Sequence, residues 1–336
     1  MKRSLKFALR FANAGKRMEL DRLWERYQVA VNDFIINQEV TDEAGWRDSN
    51  VEIGTVFKQN ALRQAMGIIK KNCKDIIQQQ VNPCMVLNDN VIKINESKNI
   101  FDYWVRISTL NKGKRLALPI KSYTYANKYF NEWELAKGGR LLRNKKGDWF
   151  IQLTFKKPKP KNTAKENKGL DIGYRKLIAD SDGATYGTDI RALIGKAVRK
   201  KQGSNADGRV RKEIKNYIGY TVKQAVDGKA NIAIEDLKGL RKDKKGKWSR
   251  SINRKFNYWF YALALQRIRD RCEVVGVQCR AVPPQYTSQT CPMCGHIEAS
   301  NRRGEKFKCL LCSFSGDADH IGAMNICHRG FAQEVT

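Results

Sequence analysis

The sequence predicts a mixed α/β protein built in two parts. A β-rich N-terminal part carries a helical insertion, and a C-terminal α/β part carries an inserted metal ribbon. Three observations predict this. Short β-like runs flank a long stretch of helical periodicity in the first 160 residues. The run Lys156-Lys157-Pro158-Lys159-Pro160-Lys161-Asn162-Thr163 has the composition of a linker. Cys291-Pro292-Met293-Cys294 and Cys309-Leu310-Leu311-Cys312 are fourteen residues apart, which lets two tight turns supply four thiolates to one tetrahedral ion. The expected boundaries are 1–160 for the first domain, with the helical insertion at about 15–85, and 161–336 for the second, with the ribbon at 287–316.

Residues 1 to about 10 read as a strand; Arg10 interrupts the apolar run, so no signal-peptide core forms. From Lys16 to about Cys84 the pattern is helical, with Leu20, Leu23, Trp24, Tyr27, Val31 and Phe34 at three- and four-residue spacing. Phe57, Leu62, Met66 and Ile69 continue it. Short β runs follow between Asn88 and Ile120, and Arg140 to Phe155 reads as a hairpin around Gly147-Asp148. These features suggest a small β-barrel. After the linker, Gly169 to Gly187 reads as a strand meander with Asp171 in its first strand, and 190–229 as basic helix. Asn231 to Leu237 is a short buried strand ending in acids. A helix is expected near Tyr258 to Arg271, then a strand at Val274-Val275-Gly276-Val277, the ribbon, and a helix from Ile321 to His328.

The chain of 336 residues holds 64 Lys+Arg against 34 Asp+Glu, a formal net charge of +30, with 41% hydrophobic residues. Such an excess repels itself in a compact state and is useful against a polyanion, so nucleic acid is the expected partner. No stretch reaches the roughly 18 apolar residues of a membrane helix, and an odd count of nine cysteines fits a reducing cytoplasm. Beyond the ribbon, Cys73, Cys84, Cys272, Cys279 and Cys327 read as small hydrophobes.

A strand-borne Asp, a Glu ending a later buried strand and an Asp opening a late helix follow the order of RNase H-like nucleases. Phosphodiester hydrolysis typically uses two divalent ions about 3.5–4 Å apart, held by carboxylates from different segments. Magnesium suits such hard oxygen ligands. Asp171, Glu235 and Asp319 are the candidates. From the residues alone, Asp171 also fits a turn, Asp236 competes with Glu235, and either Asp317 or Asp319 fits a helix N-cap. An acid just past a metal-clamped ribbon points to a metal-dependent nuclease rather than a binding finger.

Gly169-Leu170-Asp171-Ile172-Gly173, Ile234-Glu235-Asp236-Leu237, Tyr286-Thr287-Ser288-Gln289-Thr290-Cys291 and Asp317-Ala318-Asp319 with Asn325-Ile326 resemble the motifs of the TnpB (OrfB) family. These are transposon-encoded proteins related to the compact type V CRISPR effectors. The resemblance spans 169–326 and implies a RuvC nuclease domain with a four-cysteine zinc ribbon, preceded by a β-barrel wedge domain with a helical recognition insert. It implies an RNA-guided, prokaryotic, cytoplasmic DNA endonuclease that takes two Mg2+ and one Zn2+. A guide RNA and target double-stranded DNA would be its partners, with one or two chains on one RNA. It favours Asp171, Glu235 and Asp319 as metal ligands, and Cys291, Cys294, Cys309 and Cys312 as zinc ligands. Two departures stand out: Ile321 and Gly322 occupy positions where the family has Asn and Ala.

The run 241–256 holds eight Lys/Arg against one Asp. Arg241, Lys242, Lys244, Lys245, Lys247, Arg250, Arg254 and Lys255, with Trp248 for stacking, are the expected phosphate contacts. Lys196 to Lys215 is a second basic stretch, and Arg302, Arg303 and Lys306 are expected at the ribbon tip. The competing readings are a nuclease-silent RNA-guided repressor and a transposase acting directly on DNA, whose acids run Asp, Asp, Glu.

Overall fold

The structure is a computed structural model that describes residues 1–36, 50–71, 84–97, 99–236 and 260–332. Contacts divide the chain into two compact units, Met1–Pro158 and Lys159–Thr336.

In the first unit, β1 (Lys2–Ala8) is followed by α1 (Ala14–Ile36), α2 (Thr55–Lys71), β2 (Met85–Leu87), β3 (Ile92–Glu96), β4 (Tyr103–Ser108), β5 (Arg115–Ile120), α3 (Thr124–Glu132), β6 (Glu134–Arg143) and β7 (Trp149–Lys156). A four-stranded sheet runs β1-β7-β6-β2 and a three-stranded sheet runs β3-β4-β5. Period-two alternation turns Leu5 and Phe7 inward opposite Leu153 and Ile151, so one face of the pair feeds the core. The residues read at helical spacing in α1 are all buried. The Tyr27 hydroxyl donates to Gln64 Oε1 at 2.9 Å and accepts from the Val86 amide at 3.3 Å. That one phenol ties α1, α2 and β2 together, and its burial raises its pKa. The hairpin between β6 and β7 closes over 144–148, where Gly147 takes φ +85°, a conformation that favours glycine.

The second unit contains β8 (Glu166–Asp171), β9 (Ile178–Asp180), β10 (Thr185–Tyr186), α4 (Ile190–Val198), α5 (Asn205–Ala225), β11 (Ala230–Glu235), α6 (Tyr261–Val275), β12 (Cys279–Val282), β13 (Arg302–Arg303), β14 (Lys306–Lys308), β15 (Ser315–Asp317) and α7 (Ala318–Phe331). Its main sheet runs β10-β9-β8-β11-β12. The β8, β11 and β12 strands are parallel, whereas β8-β9-β10 is an antiparallel meander. Leu170, Ile232 and Ile234 share a core with α4, α5 and α6. The intervening Ala233 lies on the other face with Ile326 of α7. The approach of α7 is close: a Cβ at Gly169 would stand 2.0 Å from the Ala323 carbonyl oxygen.

One sequence expectation fails. Val274 and Val275 end α6 rather than forming a strand, and the strand is Cys279–Val282. Ala264, Leu265, Ile268 and Cys272 carry the helical period through to Gly276, which caps the helix at φ +84°. Packing along that stripe overrides the local β preference of two valines. Among the described residues, no helix is long and apolar enough to cross a membrane.

Candidate active site

Sheet geometry determines which acids meet. The parallel register sets Ala233 beside Gly169 and Ile234 beside Leu170. One step further along, Asp171 and Glu235 stand level at the C-terminal ends of β8 and β11. Alternation puts both on the face that α7 covers, and turns Asp236 to the opposite side. Carboxyl ends of parallel strands are where α/β sheets place their sites.

The third acid arrives on α7. Asp317 is the N-cap, its Oδ1 accepting from the amides of Asp319 at 3.0 Å and His320 at 3.2 Å, while Lys176 holds its Oδ2 at 2.7 Å. Capping is therefore the task of Asp317, and Asp319 is left in the first turn with its side chain directed to the cleft. A cavity of about 410 Å³ is lined by Asp171, Tyr174, Arg175, Arg302, Glu305 and Asp319. Gly322 lies one helical turn beyond Asp319, and a Cβ there would come within 3.1 Å of Asp171 Oδ2. The absence of a side chain at that position leaves room for the Asp171 carboxylate beneath the helix.

The electrostatics follow from this crowding. Burial, then the charges of Glu235 and Asp319, push Asp171 from 3.8 up to about 8, against the opposing pull of Arg302. Burial also raises Glu235, offset by the Thr287 hydroxyl, Arg302 and Arg329. Tyr261, at the start of α6, is raised by burial and then by Glu235, Asp171 and Asp236. Three carboxylates from three elements thus act on one another: burial first, and then its neighbours, hold Asp171 above the ordinary carboxylate range. Among the described residues the four cysteines, and not these acids, are the group whose ligand atoms lie within 4.8 Å of one another. Hard oxygen donors of this kind are the type magnesium takes.

The ribbon is built by two turns of the same form. The Cys291 amide donates to the His296 carbonyl and the Cys309 amide to the Phe314 carbonyl, at 2.9 and 2.8 Å. Gly295 and Ser313, each following the second cysteine of its knuckle, take φ of 75° and 59°. Buried Asn301 joins the two halves, donating to Gln289 O and accepting from the Leu310 amide, both at 3.0 Å. The four Sγ atoms lie within 4.8 Å of one another, with Cys291–Cys312 and Cys294–Cys309 at 3.6 Å. A tetrahedral zinc with bonds of about 2.3 Å spaces its sulfurs about 3.8 Å apart, so the cluster fits that ion. His296 stays outside it and faces Glu298 at 3.2 Å.

Two groups at this site were assigned otherwise, or not at all, from sequence. Arg302 was expected at the ribbon tip as a phosphate contact; instead its Nη2 donates to Asp319 Oδ1 at 2.9 Å. Thr287, in the strap leading into the ribbon, donates through Oγ1 to Glu235 Oε1. Arg303 and Lys306 are exposed, as expected, and Lys196 is engaged by Glu213 at 2.7 Å. The contacts expected from Arg241 to Lys255, including Trp248, lie outside the described residues.

Residues 261–326 match the Cas12f1-like TNB domain. The chain is 35% identical over 113 residues to a CRISPR-associated endodeoxyribonuclease Cas12f1 of Sulfoacidibacillus thermotolerans, covering 33% of this chain and 25% of that one. It is 28% identical over 221 residues to the putative RNA-guided DNA endonuclease InsQ of Escherichia coli K12, covering 55% of each. A TnpB-like protein of Aquifex aeolicus is 35% identical over 101 residues, covering 29% of this chain and 32% of that one. The chain thus spans from a quarter to about half the length of these curated relatives. Its fold is similar to Cas12f1 in a complex with guide RNA and target DNA, with a TM-score of 0.58 at 15% identity over 93% of this chain and 82% of that one. The resemblance to TnpB and compact type V proteins drawn from the motifs is met by these matches.

Proposed function

We propose that this chain is an RNA-guided DNA endonuclease with a RuvC-type active site at Asp171, Glu235 and Asp319. The observation that supports the reading is that the β8–β11 register sets Asp171 beside Glu235 while Asp319 of α7 acts on the same carboxyl, in the sequence order Asp, Glu, Asp. The sheet order, with a meander followed by two parallel strands, is that of RNase H-like domains. The names of two relatives support it: one is a CRISPR-associated endodeoxyribonuclease and the other a putative RNA-guided DNA endonuclease. The first unit would serve as the wedge domain with its helical recognition insert, and Lys159–Thr336 as the nuclease domain with the ribbon inserted.

Asp171, Glu235 and Asp319 would hold two magnesium ions and the four cysteines one zinc. Bound magnesium supplies activation of water and neutralisation of charge at the leaving oxygen. The chain's own groups hold the acids in place: Thr287 fixes Glu235, Arg302 restrains Asp319, and α7 over Gly322 fixes the depth of Asp171. The partners would be a guide RNA, from a transposon end or a CRISPR array, and target double-stranded DNA. A charge of +30 suits both. A cytoplasmic, nucleoid-associated place in a prokaryotic cell follows from that activity.

The test is expression beside the native flanking DNA, sequencing of the co-purifying RNA, and cleavage of matching DNA. One discrete RNA with a constant structured part is expected. Asp171→Ala should abolish cleavage while leaving RNA binding intact. A smear of host RNA, or cleavage by the variant, would refute the reading.

A further inference from the structure

We infer that Thr287 is a positioning residue of the carboxylate site, and that α7 holds it there through Asn325. The inference rests on the reading of Asp171, Glu235 and Asp319 as a divalent-metal site.

Thr287 is 3% exposed, in the strap between β12 and the first zinc knuckle. Its hydroxyl has one proton and two acceptors in reach, Glu235 Oε1 and the Pro284 carbonyl at 3.2 Å. A carboxylate is the stronger acceptor, so the proton goes to Glu235. A glutamate side chain has three rotatable bonds, so its head group needs a partner to fix its orientation. A hydrogen bond to one carboxylate oxygen fixes the head group and leaves the other oxygen available for an ion.

The strap would have little positioning power if it moved. Asn325, 6% exposed on α7, donates through Nδ2 to the carbonyls of Thr287 at 2.7 Å and Thr290 at 2.8 Å. Arg329, one turn later, donates to the Gln285 carbonyl and to Thr290 Oγ1 at 3.4 Å. These two side chains, four residues apart, grip one stretch of strap from the same helix face. The same helix presents Asp319 in its first turn. Glu235 is therefore referenced to the helix that bears the third acid, through Thr287 and Asn325, rather than to its own strand alone. Residues that orient a metal ligand from behind typically alter affinity by 10–100-fold when removed.

The experiment measures Mn2+ binding to the zinc-loaded, RNA-free protein by calorimetry, for wild type, Thr287→Val, Thr287→Ser and Asp171→Asn. Zinc content and melting temperature are read in parallel. Valine keeps the shape and removes the hydroxyl, whereas serine keeps the hydroxyl and removes the methyl. The expected result is about tenfold weaker Mn2+ binding for Thr287→Val, near wild-type affinity for Thr287→Ser, and unchanged zinc in both. If Thr287→Val does not fold, Thr287→Ala with the same zinc readout takes its place. Wild-type affinity in the hydroxyl-free variant, or equal loss in Thr287→Ser, overturns the positioning role. If Asp171→Asn also binds Mn2+ as wild type does, the metal-site reading itself fails, and this inference with it.

Discussion

Asp171→Asn should make the metal-free protein more stable, and increasingly so as pH rises. The folded pKa of Asp171, about 8, lies above its ordinary value of 3.8. Its protonated form therefore supports the fold fully below the lower value, and that support is lost as pH climbs through the higher one. From about pH 5 to pH 7.5 the wild type crosses roughly 2.5 units at about 1.36 kcal/mol each, or about 3 kcal/mol. The carboxyl opens on the cleft, where water screens it, so about half of that, 1.5–2 kcal/mol, is the working figure. Asparagine keeps the shape and cannot ionise. The difference in melting temperature, variant minus wild type, should widen by about 3–8 °C over this range. The assay is calorimetry in magnesium-free, zinc-replete buffer; comparing two proteins of nearly equal net charge cancels the general repulsion of a +30 chain. Adding magnesium should then stabilise the wild type and leave the variant unmoved. Parallel pH profiles would show that Asp171 is not crowded by Glu235 and Asp319.

Gly169→Ala should cost about 3 kcal/mol or more, because its methyl would collide with the Ala323 carbonyl and the Cys327 amide of α7. A variant melting within a degree or two of wild type would contradict that packing. Cys309→Ser should purify without zinc by elemental analysis and lose cleavage, since metal binding supplies the folding energy of such ribbons; full zinc content would contradict the four-cysteine cluster. Arg302→Gln removes a cation that lowers both Asp171 and Glu235. Metal-free stability near neutral pH should then fall by about 1.5 kcal/mol, and by less in acid; an unchanged melting curve at both pH values would remove Arg302 from the site.

What sequence exposes here is periodicity and covalent spacing. The α1 stripe from Leu20 to Phe34 and the two knuckles follow from local rules, and the structure carries both. The pairing of Leu5 and Phe7 with Leu153 and Ile151, by contrast, joins strands far apart in the chain, and no local rule gives it. The acids were nominated by order, and the parallel register sets Glu235 beside Asp171 where alternation excludes Asp236. The α6–β12 junction misled because a valine pair reads as strand until the buried stripe behind it is known. Arg302 and Thr287 were beyond reach for another reason. Each bonds to an acid, 17 and 52 residues away respectively, and no spacing rule connects a ribbon strand or its strap to a helix turn and a strand end.

The charge balance at the cleft argues for a cation that the chain itself does not provide. A +30 protein has basic groups to spare, yet those lining this cavity are already engaged. Arg175 pairs with Glu305 at 2.9 Å, Lys176 beside it with Asp317 at 2.7 Å, and Arg302 with Asp319 at 2.9 Å. None of these ion pairs involves Asp171, whose carboxyl is pushed up to about 8 by burial and then by Glu235 and Asp319. Burial ordinarily favours replacing such an acid with a neutral residue, because an uncompensated carboxylate costs several kcal/mol. Its presence at the meeting of β8, β11 and α7 makes sense if a divalent ion displaces the carboxyl proton. Under the proposed function, the basic excess elsewhere on the chain would meet the phosphates of a guide and its target.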